Sequence, residues 1–361
     1  MPLSKIVAKS ITDDTITTDQ IADTSVHGRR SLVINGAFQI WQRATSNSSV
    51  TSNSYPAADR WKFWANGSTM GTTRTAFTVG QTDVPNIKYY NSIAIASNSG
   101  TGHYHTINHH VEDITRFDNV TVTLSFYAKA SVAWTVGIEP IQNFGSGGSP
   151  SSRVLGTTQT VSVGTSWARH EVTISLASIS GKTLGTTANT SNFEIAMWLS
   201  GGSDFNARTG SIGNQSGTID IAAVQLEFGN KATPFEHRSY GEELALCQRY
   251  FYAISSNGNV TGNSAPMYEG HLWNNGFVKA SFDFPVHMRA VPTLTAGNDT
   301  GAYRFYRDNG NDPFDTLILD VASQANMTCY QNSGIAGTAG QGGSVQIRYG
   351  DGGSLEFSAE L

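Results

Sequence analysis

Four stretches of this chain alternate β-branched or aromatic side chains with small polar ones, and that period of two limits the fold more than any other feature. They are Val120–Ala128, Trp167–Leu176, Phe193–Leu199 and Ile219–Leu226. A period of two sends one set of side chains to one face of a sheet and the other set to the opposite face. Turn clusters separate the runs: Phe144-Gly145-Ser146-Gly147-Gly148-Ser149-Pro150, Gly201-Gly202-Ser203-Asp204 and Gly213-Asn214-Gln215-Ser216-Gly217. Short alternating runs with turn signals between them predict an antiparallel β-sandwich. No long helical period is present, which argues against a doubly wound α/β domain. Only 14% of residues are charged, 37 are glycine and 10% are aromatic. The rings supply the burial that an otherwise polar chain needs to order.

With 361 residues the chain is long enough for two or three domains. Its formal net charge of −5 argues against a nucleic-acid binder, which needs a basic stripe to displace counterions. No stretch approaches the apolar length of a membrane span, so no membrane insertion is expected. Lysines near the start are followed by no apolar core, so no signal peptide is expected. The two cysteines, Cys247 and Cys329, cannot build a disulfide framework. No cofactor motif is present.

At the amino end, Ile6, Ile11, Ile16, Ile21 and Val26 recur every five residues, with Thr, Ser and Asp between them. Five is the period of neither a helix nor a strand. Such a run does not bury its aliphatic side chains alone, and it is expected to order against a partner or against copies of itself. Residues 1–30 are therefore read as an extended anchor, and 31–238 as the sandwich domain. Ser239-Tyr240-Gly241-Glu242 has capping-box spacing, with Glu242 and Glu243 in the first turn. Leu244, Cys247 and Phe251 then share one helical face, so 239–252 is read as a linking helix. From 253 to 361 the pattern returns to β. The expected strands lie at 277–284, 316–321, 345–349 and 355–359, and they make a second β-sandwich domain.

The opening Leu32-Val33-Ile34-Asn35-Gly36-Ala37-Phe38-Gln39-Ile40-Trp41-Gln42-Arg43, followed by Ala58-Asp59-Arg60-Trp61, resembles the start of a family of bacteriophage tail-fibre and minor virion structural proteins. Thr123–Ala130 is similar to that family's central strand. Ala223–Gly229 with Ala232–Arg238 is similar to its closing signature, and Gly241–Tyr250 to the helix that follows. Phe284–Arg289 with Pro292-Thr293-Leu294 is similar to the start of its carboxy-terminal domain. The resemblance implies a jelly-roll domain like that of carbohydrate-binding modules, a trimeric fibre and a place in the virion. Expected partners are itself as a homotrimer, other virion proteins at baseplate, tail or capsid, and a host surface glycan or receptor. A capsid decoration, cement or collar protein is the first alternative, and a polysaccharide depolymerase the second.

No catalytic residue is expected. A glycoside hydrolase needs two carboxylates in a cleft, and here Glu112, Asp113, Asp118, Glu139, Glu171, Glu194 and Asp204 are scattered. Cys247 reads as a buried thiol. His103 and His105 share a strand face, but a polar sheet face is the simpler reading than a metal, and no metal is assigned. The anchor and trimer-packing residues are Ile6, Ile11, Ile16, Ile21 and Val26. The candidate ligand contacts are Trp61, Trp64, Tyr303, Tyr306 and Arg307, since an exposed ring stacks on the apolar face of a sugar. For Trp61 and Phe63 the competing reading is core packing, because they alternate with Lys62 and Trp64. The loops at 255–264 and 331–343 have the composition of adaptable contact loops.

Overall fold

The computed structural model describes residues 29–254, 267–308 and 310–361. The five-residue pulse of Ile6, Ile11, Ile16, Ile21 and Val26 and the loop at 255–264 lie outside the described residues. The first domain contains β1 (Ser46–Val50), β2 (Trp61–Asn66), β3 (Met70–Ala76), β4 (Tyr89–Ile95), β5 (Tyr104–Glu112) and β6 (Thr121–Ala130). It continues with β7 (Trp134–Asn143), β8 (Val154–Leu155), β9 (Gln159–Val163), β10 (Ala168–Ser175), β11 (Asn192–Gly201), a one-turn helix α1 (Asn206–Thr209) and β12 (Gly217–Phe228).

These strands form two antiparallel sheets. One has the order β1-β3-β4-β12-β6-β10, the other β2-β5-β11-β7-β8 with β9 also on β7. Alternation explains the core. Ile93, Val122, Leu124, Phe126, Ile219 and Leu226 point inward from the first sheet. They meet Trp61, Phe63, Ile107, Ile138, Phe193, Ile195 and Met197 from the second. The result is the expected jelly-roll sandwich.

Asn35-Gly36 is a knot rather than a plain turn. A Cβ on Gly36 would sit 2.0 Å from the Val224 carbonyl oxygen, so only glycine fits there. The Val224 amide donates to the Gly36 carbonyl, at the point where β12 slips register between Ala222 and Gln225. Asn35, fully buried at φ 60°, donates through Nδ2 to the carbonyls of Ile40 and Asp59 and accepts from the Ile40 amide. Its own amide donates to Glu243 Oε1 at 2.7 Å.

Glu243 lies on α2 (Tyr240–Gln248), which Ser239 caps by accepting from the Glu242 amide. The helix is shorter than the expected 239–252. Its buried residues are Glu243 and Cys247, and Phe251 belongs to the next strand. A run of alternating residues, Phe251-Tyr252-Ala253-Ile254, pairs with sheet partners more favourably than it extends a helix.

The second domain comprises β13 (Phe251–Ile254), β14 (Met267–Asn274), β15 (Phe277–Asp283), β16 (Thr293–Ala296), β17 (Tyr303–Arg307), β18 (Gly310–Phe314), β19 (Ile318–Ala322), β20 (Asn326–Gln331), β21 (Gly342–Ile347) and β22 (Leu355–Ser358). A three-stranded sheet, β13-β22-β16, packs on a seven-stranded one, β18-β17-β21-β14-β15-β20-β19. Their shared core includes Leu272, Val278, Phe282, Phe305, Val345 and Phe357.

Charge joins the domains. Glu360, just beyond β22, pairs with Arg60, and its Oε1 lies 3.2 Å from Arg43. Arg60 is fully buried, stacks 3.4 Å from the centroid of Tyr250 and donates to the His110 carbonyl at 2.8 Å. Arg249 binds Glu112 through two hydrogen bonds of 3.0 and 2.8 Å. Removing one partner of a buried ion pair strands the other, at about 3–5 kcal/mol. Glu360→Gln is therefore expected to lose stability on that scale, while Arg60→Met with Glu360→Leu together recovers part of it, as read by calorimetric unfolding. A single variant indistinguishable from the parent would contradict the linkage.

Candidate functional site

The second sheet turns one face to the core and the other away from it. On the outward face β2 places Lys62 and Trp64, β5 places Thr106, Asn108 and His110, and β11 places Asn192 and Glu194. On β7, Glu139, Ile141 and Asn143 share it. This face is covered as well: every residue of β11 is buried, as are all but the ends of β5.

Two covers divide it. At one end Trp198 is closed over by Tyr104, Phe205 and Ile212. Its indole donates to Glu139 Oε2 at 2.9 Å, and Arg208 of α1 grips the same carboxylate at 2.9 and 2.7 Å. At the other end the second domain lies across the sheet. Arg289 donates to the carbonyls of Ala359, Glu360 and Asn189, and Tyr55 and Lys62 both donate to the Leu361 oxygen.

Between these covers remains a cavity of about 390 Å³. Its working groups are Trp64, His110, Asn143, Arg153, Asn192 and Glu194, with Arg289 and Glu360 from the second domain on its rim. Glu194 accepts from Asn108 Nδ2 at 2.9 Å and from Asn143 Nδ2 at 3.2 Å. Burial raises its pKa, opposed by the Asn143 hydrogen bond and by Lys62 and Arg153.

Asn192 donates to the Thr190 carbonyl, so its Oδ1 is the acceptor for His110 Nδ1 at 3.1 Å. That fixes the His110 tautomer and leaves Nε2 as a bare acceptor. Burial lowers the His110 pKa to about 3 against the Asn192 hydrogen bond, with Lys62 and Arg60 adding to the depression. The ring is therefore neutral, and its 4.0 Å approach to Glu194 is not an ion pair.

Four buried atoms of this face find no hydrogen-bond partner among the described residues: Trp64 Nε1, Thr106 Oγ1, Asn108 Oδ1 and His110 Nε2. Buried polar atoms are nearly always paired, and each unpaired one carries a desolvation cost of about 1–3 kcal/mol. Two of the four, on Trp64 and His110, belong to residues that line the cavity.

The five candidate contacts separate. Trp64 lines the cavity. Trp61 does not contact ligand space: it is 1% exposed, stacks on Phe38 at 5.1 Å and donates to the Asn35 carbonyl. Strand parity decides between them, since positions 61 and 64 point to opposite faces. Tyr303 is also core, with its hydroxyl on the Ser354 carbonyl at 2.6 Å and its ring stacked on Phe314. Tyr306 and Arg307 are half-buried, and Arg307 is engaged by Asp312 at 2.6 Å. None of the three reaches the cavity.

Sequence reasoning missed His110, Asn143, Arg153, Asn192 and Glu194 as site residues. The available signal was parity: Asn192 and Glu194 occupy the polar positions of a strand whose other positions are Phe193 and Ile195.

No protein-family model and no curated protein matches the chain. Among solved structures it is similar to a family 4 carbohydrate-binding module, at 19% identity over 54% of this chain and 98% of that one, with a TM-score of 0.31. It is similar to a family 11 carbohydrate-binding module from Clostridium thermocellum, at 14% identity over 54% and 99%, with a TM-score of 0.29. It is also similar to the enzymatically active domain of tailspike protein 4 of bacteriophage CBA120, at 11% identity over 55% of this chain and 21% of that one, with a TM-score of 0.30.

The buried titrating groups predict an acid response. His110 titrates near 6.5 when unfolded and near 3 when folded, so its contribution is complete above 6.5 and is lost as pH falls towards 3. Asp59 is raised by burial from 3.8 to about 6 against Arg43 and Gln42, so its contribution is complete below 3.8 and is lost as pH rises through 6. Urea unfolding at pH 7 and 4.5 is expected to show a smaller acid loss for His110→Asn than for the parent, and a larger one for Asp59→Asn.

Proposed function

We propose that the chain is a glycan-binding adhesin of a bacteriophage virion, a fibre protein that attaches through its amino-terminal segment and meets the host surface through its β domains. The observation that carries the binding half is the cavity beside Trp64. It joins a half-buried indole to amide, carboxylate, guanidinium and neutral imidazole groups, with Trp64 Nε1 and His110 Nε2 unpaired among the described residues. Sugars supply the complementary features, apolar C–H faces for the ring and hydroxyls that both donate and accept. The jelly-roll fold supports this reading.

Binding without bond cleavage is the chemistry proposed. Glu139 is held by Arg208 and Trp198, Glu112 by Arg249, and Glu194 by two side-chain amides, so these three carboxylates serve as acceptors. The virion half rests on the sequence motifs around Asn35, Asp59, Thr123 and Gln225. Trimerisation would multiply weak individual contacts into avidity, since each further engagement is intramolecular.

On a glycan array followed by titration calorimetry with the best ligand, Trp64→Ala is expected to lower affinity about tenfold or more, equivalent to ~1.4 kcal/mol, with an unchanged melting temperature. An unaltered affinity, or no glycan bound by the parent, would refute the assignment of the cavity. Deleting residues 1–30 is expected to abolish incorporation into particles, scored by immunoblot of purified virions. Incorporation at parental levels would remove the anchor role.

A further inference from the structure

A second cavity, of about 310 Å³, shares no residue with the first. It lies where the described chain begins and where β12 ends, between Arg30, Arg116, Phe228 and Lys231, with Arg29 at its margin. Four of its nine lining residues are cationic and one, Glu227, is acidic. In a chain of net charge −5 that is a local reversal of sign.

The acid does not neutralise the cavity, because its oxygens are already used. Glu227 accepts from the Thr233 amide at 3.0 Å, the Thr233 hydroxyl at 2.5 Å and Gln225 Nε2 at 2.9 Å. Arg29 is committed outward to Glu242.

Arg30 is different. Its Nη2 makes a long 3.4 Å bond to the Pro234 carbonyl, while Nε and Nη1 are buried and have no acceptor among the described residues. Arg30 is half-buried, and two of its three guanidinium nitrogens are left unmatched among the described residues, a state that an anion would complement. Arg116 stands over the Phe228 ring at 5.6 Å, and that ring is 43% exposed. Cationic donors, an exposed aromatic face and a volume at the lower end of small-ligand sites occur together.

We infer that this cavity is a second saccharide subsite, selective for an acidic sugar residue. The carboxylate, sulfate or phosphate of that residue accepts from Arg30 and Arg116, and its apolar face lies on Phe228. The inference rests on the reading of the chain as a glycan binder and adds a charge preference to it. It also predicts that binding weakens as salt rises, because screening acts on the partly exposed Arg116 contact.

The test titrates the full chain with three probes: oligogalacturonate, its neutral methyl-esterified form, and inorganic sulfate. The variants are Arg30→Gln, Arg116→Gln and, in the first cavity, Trp64→Ala. The expected result is oligogalacturonate binding that falls at least tenfold in Arg30→Gln and in Arg116→Gln and weakens with salt, while Trp64→Ala reads the first cavity. The esterified probe is expected to show no dependence on Arg30 or Arg116. Melting temperatures of the two arginine variants within a few degrees of the parent's exclude a folding defect. If Arg30→Gln is less stable, Arg116→Gln alone decides, since that side chain is exposed.

Oligogalacturonate binding indifferent to both arginines, or absent while a neutral glycan still binds through Trp64, overturns the second subsite and leaves the first. Sulfate binding as tightly as the oligosaccharide overturns the sugar assignment. Failure of every saccharide, neutral and acidic, overturns the glycan reading itself.

Discussion

The pairing of Arg60 with Glu360 is the constraint on which the arrangement of the two domains depends. Arg60 follows Asp59 in a turn of the first domain, is fully buried, and adopts a left-handed φ of 71° that a side chain of its size ordinarily avoids. A desolvated guanidinium in such a conformation is unfavourable by itself. It is held because the Tyr250 ring covers one face, the His110 carbonyl takes one donor and Glu360 supplies the counter-charge. Ion pairs of this kind add little net stability over an apolar filling, but they admit few alternative geometries. Here the geometry fixed is that of a chain segment laid across a sheet. Arg289 and Lys62 tie down the same segment from either side, through Ala359, Glu360 and Leu361.

That placement makes the first cavity a property of two domains. β5 and β11 are buried on both faces, as strands of a parallel sheet usually are, although this sheet is antiparallel. Their inward side is apolar and their outward side carries Asn108, His110, Asn192 and Glu194. Covering such a face with protein would ordinarily be punished by unmatched polar groups. Internal bonds such as Asn108 to Glu194 and His110 to Asn192 reduce that cost without removing it. Trp64 Nε1, Thr106 Oγ1, Asn108 Oδ1 and His110 Nε2 stay unmatched among the described residues.

Much of the scaffold is written in the sequence. Alternation over Val120–Ala128 and Ile219–Leu226 specifies strands because one face of each must find apolar neighbours. Ser239 three residues before Glu242 specifies where a helix starts, and the structure has that cap. Parity also shows that Trp61 and Phe63 travel together, with Lys62 and Trp64 opposite. Parity does not say which face is the core, and that is why Trp61 and Trp64 were both plausible ring platforms. A cluster such as Tyr303-Arg304-Phe305-Tyr306-Arg307 misleads for the same reason, since Tyr303 and Phe305 are the inward members of β17.

The sequence by itself determined the class of fold, the order of its parts and the net negative charge. These follow from local periodicity and composition, which need no knowledge of distant residues. Only the tertiary structure decided that His110, Asn143, Asn192 and Glu194 face one cavity, that Glu360 reaches Arg60 from 300 positions away, and that Arg30 meets Arg116 beside Phe228. Those meetings depend on which strands become neighbours and on how two sheets are covered. Pairing energies of that kind are summed over the whole chain, so no short stretch of residues records them.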